Sequence, residues 1–191
     1  MWLINRMIRN KLWAICVVFI LILITYSGTY KIVDDKTQIE KHILEFINRP
    51  IGQYDYVDMK QYINIDNKKY ILYTTTDKIG FAGLVKGLNG KYKIAYSEHS
   101  NNSFDDKVIE TNRGKYIILI GKNPDKEIEY SEVVLEFNEY KIKIPDEEYF
   151  IVSSKIKDGT KSILIAPNNI KLFDANGTDI SHIRFESDEE L

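Results

Sequence analysis

The chain has 191 residues, with 26 Lys and Arg against 28 Asp and Glu, a formal net charge of −2. That balance provides no long-range positive field, and no basic patch stands out, which argues against nucleic acid as a partner. At 44% hydrophobic and 28% charged the composition is globular rather than disordered, and the single cysteine, Cys16, excludes an intramolecular disulfide.

The first element is "KLWAICVVFILILITYSGTYK", in which 19 residues without a charge separate Lys11 from Lys31. As a helix they cover about 28 Å, close to the roughly 30 Å hydrocarbon core of a bilayer. Trp13 lies near one end of the run, Phe19 inside it, and Tyr26 and Tyr30 near the other end, where amphipathic rings favour the interfaces. The spacing predicts a retained single-pass transmembrane anchor over 12–30, in the manner of a signal-anchor. A cleaved leader is the alternative: Leu12–Ile24 has the length of a signal core, although Tyr26 and the absence of Ala make a poor cleavage site. The product would then be secreted. Cys16 follows Ile15 near the start of the run, the wrong place for lipid attachment, and reads as a small apolar side chain in the bilayer. Arg6, Arg9 and Lys11 outweigh Lys31 and Lys36, so residues 1–11 are expected to be a short cytoplasmic segment and the remainder extracytoplasmic, at the cell membrane. So short a segment leaves little inside the cell to bind or react.

Downstream, "DDKTQIEKHILEFINRP" predicts an amphipathic helix over 35–48. Asp34 or Asp35 caps it, Ile39, Ile43, Phe46 and Ile47 share a face, and Pro50 closes it. The pattern then changes to short strands. "YVDMKQYINI" and "KKYILYTTT" flank the turn pair Asp66-Asn67, and "KIGFAGLVKG" and "KYKIAYS" flank Asn89-Gly90, a strong hairpin signal. In "KYKIAYS", Tyr92, Ile94 and Tyr96 alternate against Lys91, Lys93 and Ala95, as a half-wet antiparallel strand requires. The helix is expected to lie across the dry face of this meander, an α+β unit over 31–112, with "SEHSNNSFDD" (97–106) as its longest loop.

A second series runs through "KYIILIGKN", "EIEYSEVVLEF", "YKIKIP", "YFIVSSKI", "SILIAP" and "IKLFD". Val133, Leu135 and Phe137 alternate with Glu132, Val134 and Glu136 before a turn expected at Asn138-Glu139. Six short strands with frequent turns predict an Ig-like, β-sandwich-like unit over 113–181. "DANGTD" closes its last hairpin, and 182–191 reads as an acidic tail. The expected fold class is α+β, mainly antiparallel β.

"GLNGKYKI" at 87–94, "VIETNRGKY" at 108–116, "EEYFIV" at 147–152 and "IKLFDANGTDI" at 170–180 resemble segments of uncharacterised, N-terminally anchored extracytoplasmic proteins of low-GC Gram-positive bacteria. The resemblance covers most of residues 67–180. It implies an anchored, exported, β-rich protein and brings no catalytic residue.

The chemistry-bearing residues are scattered. His42, His99 and His182 share no ligand spacing, and no metal or cofactor is expected. Asp174, Asn176 and Asp179 in "DANGTD" lack the glycine position and the bidentate Glu of an EF-hand, and a hairpin turn explains them better. The adjacent pairs Asp105–Asp106 and Glu147–Glu148 point to opposite faces if they lie on strands, which weakens a glycosidase-like reading. Of 13 tyrosines, Tyr54, Tyr56, Tyr62, Tyr70 and Tyr73 fall at strand positions and are the candidate binding residues, since exposed aromatics favour recognition of proteins or sugars. The expected function is a non-enzymatic, membrane-anchored binding or accessory module, its partners the bilayer and an envelope or membrane protein. An envelope hydrolase whose carboxylates meet only in the fold, or an immunity-type protective membrane protein, are the alternatives.

Overall fold

The computed structural model describes residues 2–49, 52–76, 78–100 and 102–185. Two helices precede ten strands: α1 (Trp2–Thr29), α2 (Lys36–Ile47), β1 (Asp58–Ile65), β2 (Lys68–Thr74), β3 (Ile79–Lys86), β4 (Tyr92–Ser100), β5 (Phe104–Thr111), β6 (Gly114–Lys122), β7 (Tyr130–Leu135), β8 (Asn138–Lys143), β9 (Tyr149–Lys155) and β10 (Ile170–Phe173). All paired strands are antiparallel and form three sheets, β1-β2-β3-β4, β5-β6-β9 and β10-β7-β8. The fold is mainly antiparallel β, as the periodicity predicts.

Three apolar clusters order these parts into layers. Ile39 and Ile43 of α2 meet Ile71, Tyr73 and Leu84 on one face of the four-stranded sheet. Tyr70, Leu72 and Phe81 on its other face meet Ile118, Ile120 and Ile151 of the β5-β6-β9 sheet. The far side of that central sheet, through Ile117, Leu119 and Phe150, meets Val133, Leu135, Ile142 and Leu172 of the third sheet. The stack is therefore helix, sheet, sheet, sheet. Strand β6 is covered on both faces, so its run "YIILI" is apolar without alternation, as a strand with two dry faces must be.

Helix α2 forms where its stripe predicts. The Asp35 carboxylate accepts from the Gln38 amide at 3.0 Å, and Asn48 is the C-cap. Pro50, expected to close it, lies outside the described residues. The Asp66-Asn67 and Asn89-Gly90 turns stand between their strands as expected, with Asp66 at φ 56° and Gly90 at φ 76°. Between β2, β3 and β4, two glycines leave room for rings. A Cβ on Gly80 would overlap the Tyr73 ring, and one on Gly83 would lie 2.5 Å from the Tyr96 ring.

Several expectations change. Tyr92 and Ile94 face α2, but the register shifts between Gly83 and Leu84, whose partners are Tyr96 and Ile94. Ala95 is the extra residue of this bulge, and it turns Tyr96 to the opposite, central-sheet face. The loop expected over 97–106 is largely strand: Ser97–Ser100 extends β4 along β3, and Phe104–Asp106 opens β5. The boundary drawn between 112 and 113 falls at the turn of the β5–β6 hairpin. The turn expected at Asn138-Glu139 is at Glu136-Phe137, with Leu135 opposite Asn138 and Glu136 at φ 56°. "SILIAP" forms no strand, and only Ile165 of its apolar residues is buried. Three strands face three, fewer than the seven of an Ig domain. Residues 182–185, expected to begin the tail, belong to a 3-10 segment, Ser181–Phe185, docked by Ile183 on the core. The rest of the expected tail lies outside the described residues.

Helix α1 differs from every other element. From Ile15 to Ile24 each side chain is exposed, and Thr25 and Thr29 donate their hydroxyls back to the carbonyls of Leu21 and Thr25 at 2.7 and 2.9 Å. Among the described residues no helix is long and apolar enough to cross a membrane. The side chains of the expected cytoplasmic flank, including Arg6, Arg9 and Lys11, lie outside the described ones. The C-terminal end of α1 meets the β3–β4 turn. Leu88 donates its amide to the Tyr26 hydroxyl, Asn89 donates to the Tyr30 carbonyl at 2.9 Å, and the two rings stack at 4.7 Å.

Candidate functional site

An aromatic and polar grouping forms where the chain leaves α2. The Asn48 side chain donates to the Tyr54 carbonyl at 2.7 Å and accepts from the Tyr54 amide at 2.9 Å. That two-way clamp turns the chain back and lays the Tyr54 ring on the His99 imidazole, centroids 4.7 Å apart. Strand alternation places Ser97 and His99 on one face of β4, beside Tyr73. The Tyr73 hydroxyl lies 2.6 Å from Ser97 Oγ and 3.2 Å from His99 Nε2. Tyr56 donates its hydroxyl to the Thr75 carbonyl at 3.2 Å.

This arrangement suits recognition better than nucleophilic chemistry. Burial pushes the Tyr73 hydroxyl up to about 12, so at neutral pH it is a neutral hydrogen-bond partner between Ser97 and His99. A serine nucleophile needs a base within direct reach, and here the tyrosine stands between the two. Tyr54 and His99 are half-buried as a stacked pair, and Tyr56 is exposed.

Only three of the five candidate tyrosines offer a surface. Tyr70 and Tyr73 are 1% and 0% exposed, because β2 is an interior strand with α2 on one face and the central sheet on the other. Tyr70 stacks on Phe81 inside the core, and burial pushes its hydroxyl up to about 12. Tyr62 is half-exposed on β1, and its ring holds the Lys69 ammonium at 4.2 Å. Lys69 is buried and pairs with Asp34, with the Tyr92 ring on another side at 5.4 Å. Tyr62 thus closes a cation cage rather than joining the Tyr54 surface. Sequence reading missed Ser97 and His99 as neighbours of tyrosines, although their i, i+2 spacing would have marked a shared face had the segment been read as strand.

The remaining candidates are separated. His42 pairs with Glu45 at 3.1 Å on the edge of a cleft of about 300 Å³ also lined by Lys31, Phe46, Arg49 and Lys93. His182 sits in the last 3-10 segment. Among the described residues no group of three His, Cys, Asp or Glu could hold a metal ion. Asp105 pairs with Lys107, and Glu147 accepts from Gln61. Asp174 accepts from the amides of Asn176 and Thr178, and Asp179 from Ser181. These are turn contacts, and they hold both carboxyls below the usual range. Asp58, bonded to Lys60 and Lys36, and Glu136, bonded to the amides of Ser162 and Lys161, shift the same way. A general acid needs the opposite direction.

Of the proposed membrane residues, Trp13, Cys16, Phe19 and Tyr26 lie on α1 and Tyr30 directly follows it. Trp13 and Phe19 are 69% and 60% exposed and Cys16 is exposed, while Tyr26 and Tyr30 rest on the β3–β4 turn. Compared with known proteins, the chain matches no family model, no curated protein and no solved structure.

Proposed function

We propose that the protein is a membrane-anchored extracytoplasmic binding or accessory module that performs no catalysis itself, with α1 as the anchor and the β stack outside. The observation that carries this reading is the unbroken exposed apolar row of α1 from Ile15 to Ile24. Such a row is unfavourable in water and at ease in hydrocarbon. Just beyond it, the hydroxyls of Thr25 and Thr29 are returned to the helix's own carbonyls, which suits an apolar surrounding. The basic residues at 6, 9 and 11 favour an N-terminus inside. The surface formed by Tyr54, Tyr56 and His99 is the partner site this reading assigns, on a cell-envelope or membrane protein.

Two measurements test it. A reporter that is active only after export, fused after Leu191, is expected to be active. Photo-crosslinking from position 56 in intact cells is expected to capture one envelope or membrane protein, and Tyr54→Ser with Tyr56→Ser is expected to abolish the capture. A cytoplasmically active reporter contradicts the topology. Cleavage of wall polymer by the purified protein, with nothing captured, contradicts the non-catalytic role.

A further inference from the structure

Four large apolar side chains outside α1 stand in turns with almost nothing over them: Leu88 at 99%, Phe137 at 102%, Ile163 at 66% and Leu164 at 80% exposure. They come from three segments far apart in sequence, yet they share one end of the stack. The contacts establish this step by step. The Lys86 amide, at the start of the Leu88 turn, donates to the Asn67 carbonyl in the β1–β2 turn at 2.7 Å. Arg113, in the β5–β6 turn, reaches Asp66 at 3.4 Å. Lys115, at the start of β6, donates to the carbonyls of Thr160 and Lys161 at 3.0 and 3.1 Å. The Glu136 carboxylate then accepts from the amides of Lys161 and Ser162 at 2.8 and 2.9 Å, tying the Phe137 turn to the loop that bears Ile163 and Leu164.

That end is also where α1 arrives. Helix α1 stops at Thr29, and Ile32 already exchanges both backbone hydrogen bonds with Tyr92 at the top of β4, at 3.0 and 2.7 Å. Two residues of connection cannot carry the body far from the helix end. Charge divides along the same axis. Exposed Lys86, Lys91, Lys157 and Lys161 lie in or beside the segments that carry the apolar tips, whereas the opposite end presents exposed Asp125, Glu127, Asp146, Glu147 and Glu148 together with exposed Lys126, which pairs with Asp146 at 3.5 Å. Two of the acids at the near end are engaged, Asp66 by Arg113 and Glu136 by its three donors, and Glu110, Glu139 and Asp158 are exposed there beside the lysines.

We propose that this end of the β stack seats on the bilayer surface, with Leu88, Phe137, Ile163 and Leu164 entering the headgroup layer and the lysines meeting anionic lipid. Apolar turn residues ringed by lysine match the two attractions that hold peripheral surfaces on anionic membranes. The acidic end then faces away from the bilayer. The inference rests on the anchored reading, since the short connection places the surface at the membrane only if α1 is in it.

The test uses the full chain carrying Cys16→Ser, reconstituted in vesicles of phosphatidylcholine and phosphatidylglycerol with brominated acyl chains. An environment-sensitive fluorophore is placed through Phe137→Cys or Leu164→Cys, and through Asp125→Cys at the opposite end. A Trp2→Phe variant leaves Trp13 as an independent reporter of the anchor. Lipid bromine is expected to lower emission at 137 and 164 about twofold and to leave 125 unchanged, as burial in the interface on one side only requires. Quenching of Trp13 with 137 and 164 as unaffected as 125 overturns the seated surface and leaves the anchor standing. Quenching at 137 and 164 without Trp13 overturns the anchor and leaves the surface, and quenching of none overturns both. A blue shift at 137 that is insensitive to lipid bromine and fades as protein is diluted in lipid means that a second copy covers this end, and it also overturns the proposal.

Discussion

Isoleucine, leucine and valine fill both strand β6 and helix α1, yet Ile117–Ile120 are at most 1% exposed while Ile15 and Val17–Ile24 are 48–65% exposed. The residue types do not explain the difference; the neighbours do. Strand β6 lies between two sheets, and each of its faces meets an apolar face of another layer. The row on α1 is exposed along its whole length, and apolar sides so placed favour a solvent other than water. One region brings its own cover, and the other requires the cover to be supplied from outside.

The sharpest way to separate the regions is to damage each and ask whether the other responds. Leu119→Ala removes a fully buried side chain from the centre of the stack and is expected to cost about 2–5 kcal/mol in unfolding free energy. Membrane association should be unaffected. An unchanged denaturation midpoint would mean that β6 is not the centre of the fold. Conversely, Ile20→Lys places a charge midway along α1 and is expected to disfavour insertion by about 2.5–3.5 kcal/mol, leaving the midpoint of the β stack alone. A shifted midpoint would show α1 packed on the body instead of standing free.

Alkali addresses the covered region by another route. Burial raises Tyr70 and Tyr73 to about 12, against an ordinary value near 10. The unfolded chain therefore loses these protons first, so their contribution to stability is intact below about pH 10 and declines as pH rises towards 12. For the two together the loss reaches on the order of 2 kcal/mol near pH 11. Absorbance at the tyrosinate band should rise in two phases, the second coinciding with unfolding. A single phase completed before unfolding would place these hydroxyls in water.

Smaller effects lie at the margin between the regions. Asp35→Ala removes the cap of α2 and is expected to cost about 1 kcal/mol, read in the same unfolding measurement. At Asp58, hydrogen bonds from Lys60 and then Lys36 hold the carboxyl below its ordinary value. Its contribution is present above about pH 4 and declines as pH falls through the folded-state value. The Asp58 side chain is 42% exposed, so Asp58→Asn should flatten the acid limb of the stability profile by only a few tenths of a kcal/mol. A larger change would mean that the α2–β1 edge is more enclosed than it is here.

Local signals in the sequence translated well into structure. Asp66-Asn67 and Asn89-Gly90 specify hairpins through residues that tolerate positive φ, and the Ile39–Ile43 stripe with Asp35 specifies α2. What failed depended on distant partners. The pairing of Tyr116 with Lys155 joins strands separated by two others, and nothing local encodes it. Whether Tyr70 and Tyr73 are exposed depends on the layers stacked over β2, so propensity marked them as strand residues without telling inside from outside. Glu136 adopts positive φ without the glycine or asparagine that announces such a turn, and its carboxylate is occupied by the 161–162 segment. The Tyr54–His99 contact was hidden for a similar reason, because Ser97–Ser100 looks like a loop until β3 is set beside it.

Anchoring requires that α1 remain in the bilayer with the β stack attached to it. The most direct measurement is the mass and partition of the chain after membranes from the producing cell are washed in alkaline carbonate. The expected result is the intact chain in the pellet, with its β stack digested by protease added to whole cells. Recovery of a shortened chain beginning near Gly28 in the supernatant would contradict it, for the helix would then be a leader and the stack a secreted protein.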